Sequence, residues 1–192
     1  MKKLSYLFIL ILFTQTARAQ KEILQSDEGN KYVYYRVVDK SGVSADTLYS
    51  RSLSFMKMAN LKFNPASTDD RAVTGKGKFM VYNGSSIVRK EAGEVTYKLY
   101  IESKDQKYRY KVSDFVFTPY RRDRYGNMVA VTGVEVAFEK LATKFTQKEA
   151  DSYLNQTGSF CQATADAISK QMNKVSQTKI ILPPNKVNTY NW

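Results

Sequence analysis

Between residues 93 and 117 the chain alternates apolar and polar side chains with a period of two, and this run limits the possible folds most sharply. Val95, Tyr97, Leu99 and Ile101 face one way, and Thr96, Lys98, Tyr100 and Glu102 face the other. That period belongs to a strand and not to a helix. Lys104-Asp105-Gln106-Lys107 makes a tight connection, after which Tyr108, Tyr110 and Val112 resume the inward row. At Ser113-Asp114 the row slips by one residue to Phe115 and Phe117, as a β-bulge does. Thr118-Pro119 ends the strand. A long hairpin of this kind buries one face and leaves the other at least partly wet, here the face carrying Lys76, Lys78, Lys98, Tyr100, Arg109 and Lys111.

The remaining elements follow from the same periodicities. Residues 20–30 are polar and read as a loose lead-in. Residues 31–40 alternate as a strand with apolar or aromatic groups on both faces (Tyr32, Tyr34 and Val38; Val33, Tyr35 and Val37), so both sides are expected to be covered. Ser44 or Asp46 caps a helix running to about Asn60, with Ala45, Leu48, Ser52, Phe55-Met56 and Ala59 at helical spacing. Asn64-Pro65 to Asp70 reads as a loop, because Pro65 keeps its predecessor out of a helix. Strands are expected over 71–83 and near 128–139. Thr146-x-x-Glu149 is a capping box that opens a helix to about Gln177, with Ala150, Tyr153-Leu154, Thr157, Phe160-Cys161, Thr164, Ile168, Met172 and Val175 on one face. The short apolar run 180–182 suggests an edge strand, and 183–192 a loose tail. The order β-α-β-β-β-β-α predicts a two-layer α+β domain over residues 20–182. It has an antiparallel sheet of about five strands, and both helices pack on one of its faces.

The first 19 residues have the pattern of a secretory leader. Lys2-Lys3 precede the apolar stretch 4–13, and Ala17-Arg18-Ala19 supplies a cleavage pattern before Gln20. A ten-residue apolar stretch is too short to span a bilayer core of about 30 Å, and Gln20 is not a lipidated cysteine. The expectation is a cleaved signal peptide, no transmembrane segment after cleavage, and a mature protein in the periplasm or outside the cell. Removing Lys2, Lys3 and Arg18 from the 30 basic residues leaves 27 against 18 acidic ones, a net charge of +9. Such a surface attracts polyanions, and the exported address disfavours nucleic acid among them.

Cys161 is the only cysteine and there is no histidine. An intramolecular disulfide, Ser-His-Asp or Cys-His catalysis and histidine-bearing zinc sites are therefore excluded. Cys161 lies on the apolar helix stripe and reads as a buried thiol. No cofactor and no metal site is expected.

Thr47-Leu48-Tyr49-Ser50-Arg51, Gly75-Lys76-Gly77-Lys78 and Lys104-Asp105-Gln106-Lys107-Tyr108-Arg109-Tyr110 occur in an order that resembles a family of exported proteins from Gram-negative bacteria. That family is a domain of unknown function with a TATA-binding-protein-like fold, and the resemblance covers roughly residues 30–120. It implies a curved antiparallel sheet backed by helices. It implies no activity and no functional residues, and DNA binding is not carried by a fold.

Two motifs bear on function. Gly75-x-Gly77 lacks the third glycine and the helix of a phosphate loop, so it reads as a strand with a close backbone contact. Tyr120, Arg121, Arg122, Arg124 and Tyr125 form the sharpest ligand-binding candidate, three guanidinium forks among two flat rings. The competing reading of this loop is a solvated hairpin in which Asp123 pairs with its arginines. The sequence thus points to a non-enzymatic binding module for an anionic glycan, an envelope component or an envelope protein. The alternatives are a structural subunit of an envelope assembly, or a hydrolase built on a carboxylate pair drawn from Glu94, Glu102, Asp114 and Glu135.

Overall fold

The computed structural model describes residues 23–65, 71–84 and 88–174. The leader 1–19, Asp69-Asp70, the run 180–182 and the tail 183–192 lie outside the described residues. Eight strands are present: β1 (Gln25–Ser26), β2 (Tyr32–Asp39), β3 (Lys62–Pro65), β4 (Ala72–Gly84), β5 (Arg89–Lys104), β6 (Lys107–Arg122), β7 (Met128–Ala130) and β8 (Val136–Ala137). Three α-helices accompany them: α1 (Ala45–Met58), a single turn α2 (Leu141–Lys144) and α3 (Gln147–Met172). The sheet order is β1-β2-β6-β5-β4-β3, with β7 and β8 also paired to β6. Every pairing is antiparallel.

The α+β class, the antiparallel sheet and the one-sided helix layer are as the sequence predicts; the count of about five strands is too low. Residues 62–65, read as running into a loop, pair with Val73–Lys76 as β3. Pro65 is compatible because β3 is an edge strand, where a missing N–H costs no ladder bond. The lead-in is tied down, since Gln25–Ser26 pair with β2. The expected last strand is two short ones followed by a 3-10 turn over Phe138–Lys140. Finally, β2 is buried on both sides only at Val33 and Tyr34; Tyr35 and Val37 stand open at 36% and 54% exposure.

The core lies between the sheet and the two long helices. Leu48, Phe55 and Met56 of α1 and Ala150, Tyr153, Cys161, Ile168 and Met172 of α3 are buried against Val95, Leu99, Ile101, Tyr108, Val112 and Phe117. Burial pushes the Cys161 thiol up to about 12, so it is an inert core group as expected. The bulge is where the sequence puts it. Lys98 pairs with Ser113 but Thr96 pairs with Val116, and Asp114 adopts φ 55°. One extra residue on β6 keeps Phe115 and Phe117 in the core after Tyr110 and Val112.

The helix caps tie the layers together. Thr146 and Glu149 form the capping box of α3. Ser44 caps α1 through the Thr47 amide, and the β5–β6 turn adds a second cap: Asp105 Oδ1 accepts from the Ala45 amide at 2.8 Å. At the far end, Arg51 of α1 donates to the Met172 carbonyl of α3 at 2.6 Å, where the helix dipole is negative. Replacing Asp105 with Ala removes the bridge from the hairpin turn to α1. The expected cost is about 1 kcal/mol, read as a fall in Tm of about 2–4 °C by circular dichroism. An unchanged Tm would show that Ser44 alone suffices.

Candidate functional site

Residues directly opposite one another in an antiparallel pair share a face, so the register fixes what stands on the side away from the helices. Lys62 pairs with Lys76, Lys76 with Lys98, and Lys98 with Ser113. Three lysines therefore lie side by side across β3, β4 and β5. In the next row towards the β5–β6 turn, Thr74, Tyr100, Lys111 and Tyr35 follow one another across four strands. Cross-strand neighbours have Cβ atoms only ~5 Å apart, and like charges there are destabilising.

Glu94, Glu102 and Asp114 of this face do not relieve that repulsion, because each of the three is held by another cation. Glu94 binds Lys78 at 2.8 Å and accepts from the Tyr120 hydroxyl at 3.3 Å. Asp114 pairs with Lys31 at 3.5 Å. Glu102, only 8% exposed, accepts from Arg109 Nε at 2.8 Å and from the Tyr100 hydroxyl at 2.9 Å, with Lys104 at 3.5 Å. Lys62, Lys76, Lys98 and Lys111 have no carboxylate in ion-pair range among the described residues.

Lys98 stands between two hollows. One, of about 420 Å³, is lined by Tyr35, Tyr100, Arg109 and Lys111, with Asp27 and Asp114 also on its wall. The other, of about 1220 Å³, takes in Lys62, Lys76 and Lys78. Cationic and phenolic groups of this kind can bind an anion through charge-assisted hydrogen bonds and cover a flat ring. Among the described residues, no group of three or more His, Cys, Asp or Glu could hold a metal ion. No helix there is long and apolar enough to cross a membrane.

The arginine loop lies elsewhere. Tyr120, Arg121 and Arg122 end β6 and pair with Ala130, Val129 and Met128. Strand alternation puts Tyr120 and Arg122 on the open face and Arg121 on the other. Arg124 lies over the Tyr125 ring at 4.8 Å, and both are exposed. The loop is roughly 20 Å along β6 from Ser113, at 3.3 Å per residue, so the structure does not merge it with the lysine row. Asp123 does not pair with the arginines, contrary to expectation. Its Oδ1 accepts the Tyr125 and Asn127 amides, each at 2.8 Å. Desolvation pushes its pKa up, but these bonds outweigh that and hold the carboxyl low.

Two of the acids proposed for a hydrolase are also apart. Glu94 and Glu102 are eight residues apart on one strand, roughly 26 Å, where a glycosidase needs about 5–10 Å. Lys62 is the site residue that sequence reasoning missed. Its only signal was the short alternation of Lys62 and Asn64 ahead of Pro65.

Residues 34–118 match the family model described as a domain of unknown function, DUF4468, with a TBP-like fold. Over those residues the chain is similar to that family. A crystal structure of a DUF4468 family protein from Bacteroides ovatus superimposes with a TM-score of 0.60 at 12% identity, covering 81% of this chain and 94% of that one. A TBP-like protein from Parabacteroides distasonis gives 0.59 at 15% identity, covering 80% and 99%. No curated protein matches the chain. The DUF4468 match begins inside β2 and ends inside β6, so it contains the lysine row of β3–β5 and stops short of the arginine loop.

The Glu102 cluster gives a pH-dependent contribution to stability. Burial raises the Glu102 pKa, but the hydrogen bonds from Arg109 and Tyr100 outweigh it, and the carboxyl ends below its ordinary value. A lowered folded pKa means the contribution is complete above the unfolded value of about 4.3 and disappears as pH falls below it. Glu102→Gln is expected to lose about 1–3 kcal/mol at pH 7 in urea unfolding. The difference from wild type should shrink towards pH 3. A variant as stable as wild type at pH 7 would contradict the assignment.

Proposed function

We propose that the protein is a non-enzymatic binding module, exported by its leader, that holds an anionic ligand on the open face of its sheet. The observation that carries this is the in-register row Lys62–Lys76–Lys98, flanked by Lys111, on a face where Glu94, Glu102 and Asp114 are held by other cations. Placing like charges on neighbouring strands costs folding free energy. A bound anion removes that cost, so the face is arranged for occupancy. Tyr35 and Tyr100 beside Lys111 add flat surface, which suits phosphorylated or acidic glycans and envelope components. The leader-like first 19 residues support an address where such ligands are found.

The test is titration with inorganic tripolyphosphate, comparing two multiple variants with wild type. Lys76→Ala with Lys98→Ala is expected to weaken binding at least about tenfold, and wild-type binding to fall steeply as salt rises from about 50 to 200 mM. Arg121→Ala, Arg122→Ala and Arg124→Ala together are expected to leave it near wild type. The reverse pattern would move the site to the loop and overturn the sheet-face reading.

A further inference from the structure

The larger hollow does not end at the lysines. β3 begins at Lys62, opposite Lys76, so beyond that point β4 has no strand neighbour on the side away from β5. Its edge is next engaged at Tyr82, whose N–H and C=O are both bound by the Gln156 side chain of α3 at 2.9 Å. Between these two points the missing side chain of Gly77 leaves a notch in the edge, into which Tyr97 and Leu61 fit. A Cβ there would stand 2.5 Å from the Tyr97 hydroxyl and 2.6 Å from Leu61, so glycine is what lets the Tyr97 phenol lie across β4 to the sheet edge. This is the close backbone contact expected of Gly75-x-Gly77.

Around this edge the cavity of about 1220 Å³ is bordered by two environments. On the helix side its wall is apolar: Phe55 and Met58 of α1, Leu61, and Phe160, Ala163 and Ala167 of α3. Met58 is 60% exposed there. Tyr97 is 7% exposed and lines the cavity at the junction, its ring packed on Phe79 and Phe160. On the other side stand Lys62, Lys76, Lys78 and Lys98. The volume exceeds the 300–1,000 Å³ typical of small-molecule pockets, which leaves room for a hydrocarbon chain as well as a head group.

We infer that the cleft between α1 and α3, continued around the β4 edge past Gly77 to the lysine row, binds a single-chain amphiphile with a phosphate head. The chain lies against Met58, Phe160 and Ala163, and the head meets Lys62, Lys76 and Lys98, with the Tyr97 hydroxyl between them. Charge complementarity selects the anionic head, and the apolar wall selects the tail. The inference rests on the anionic-ligand reading for its head group and adds the chemical class of the whole ligand.

The test is calorimetric titration of the protein with octyl phosphate and dodecyl phosphate, both kept below micelle formation, alongside inorganic tripolyphosphate. Four added methylenes are expected to tighten binding at least about tenfold. Ala163→Trp fills the cleft without touching a lysine. It is expected to weaken dodecyl phosphate at least about tenfold and to leave tripolyphosphate unchanged. Affinity independent of tail length, or an unaffected Ala163→Trp variant, would overturn the amphiphile while leaving the anion site intact. Loss of tripolyphosphate binding from wild type itself would instead remove the anion site. Binding to anionic vesicles without binding to dispersed dodecyl phosphate would also overturn the inference, in favour of a membrane surface.

Discussion

A single extra residue in β6 holds this architecture together. The strand is sixteen residues long and pairs with β2 along its first part, with β8 and β7 along its last, and with β5 as far as Pro119. A regular strand of that length would turn Phe115 and Phe117 to the side opposite Tyr110 and Val112, because side chains alternate with period two. The bulge at Asp114, with its left-handed φ of 55°, absorbs the slip. Both halves of the strand then present aromatic and aliphatic groups to α1 and α3. Because the core is gathered on one side, the other side of β4, β5 and β6 stays free of any helix. It is there that the lysines collect.

The open face reads as an electrostatic arrangement with two parts. Around Glu102 the charges are balanced, and the hydrogen bonds from Arg109 and Tyr100 make that corner rigid. Around Lys76 and Lys98 they are not balanced, and neighbouring strands present the same charge. The satisfied corner belongs to the stability of the sheet, and the unsatisfied row to whatever the sheet holds. The β4 edge past Gly77 gives that row a second neighbour, an apolar cleft between the helices, which an evenly covered sheet edge would have closed.

Most of the fold was legible because its signals are local and periodic. The 93–117 alternation, the slip at Ser113-Asp114 and the Thr146–Glu149 box each appear in the structure as the sequence predicts. What escaped was set by pairing across distance. β3 is four residues ending in proline and exists because β4 offers it a partner; β1 likewise depends on β2. The two-sided covering expected for β2 failed since Tyr35 and Val37 look outward to the open face at a position that no helix reaches. For the site, sequence periodicity put Lys76, Lys98 and Lys111 on the wet face, but register alone shows that Lys76 and Lys98 are direct neighbours and adds Lys62. The arginine loop was conspicuous as composition. Its three-dimensional reality is a hairpin turn organised by Asp123, distant from the lysines.

The central claim is that the lysine row is where the anion sits. The most direct measurement is nuclear magnetic resonance mapping of the protein titrated with inorganic tripolyphosphate, following backbone amides and lysine side chains together. The account predicts saturating shifts at Lys62, Lys76, Lys98 and Lys111 and none at Arg121, Arg122 or Arg124. Shifts confined to residues 120–125, or no saturating shift on the open face, would contradict it.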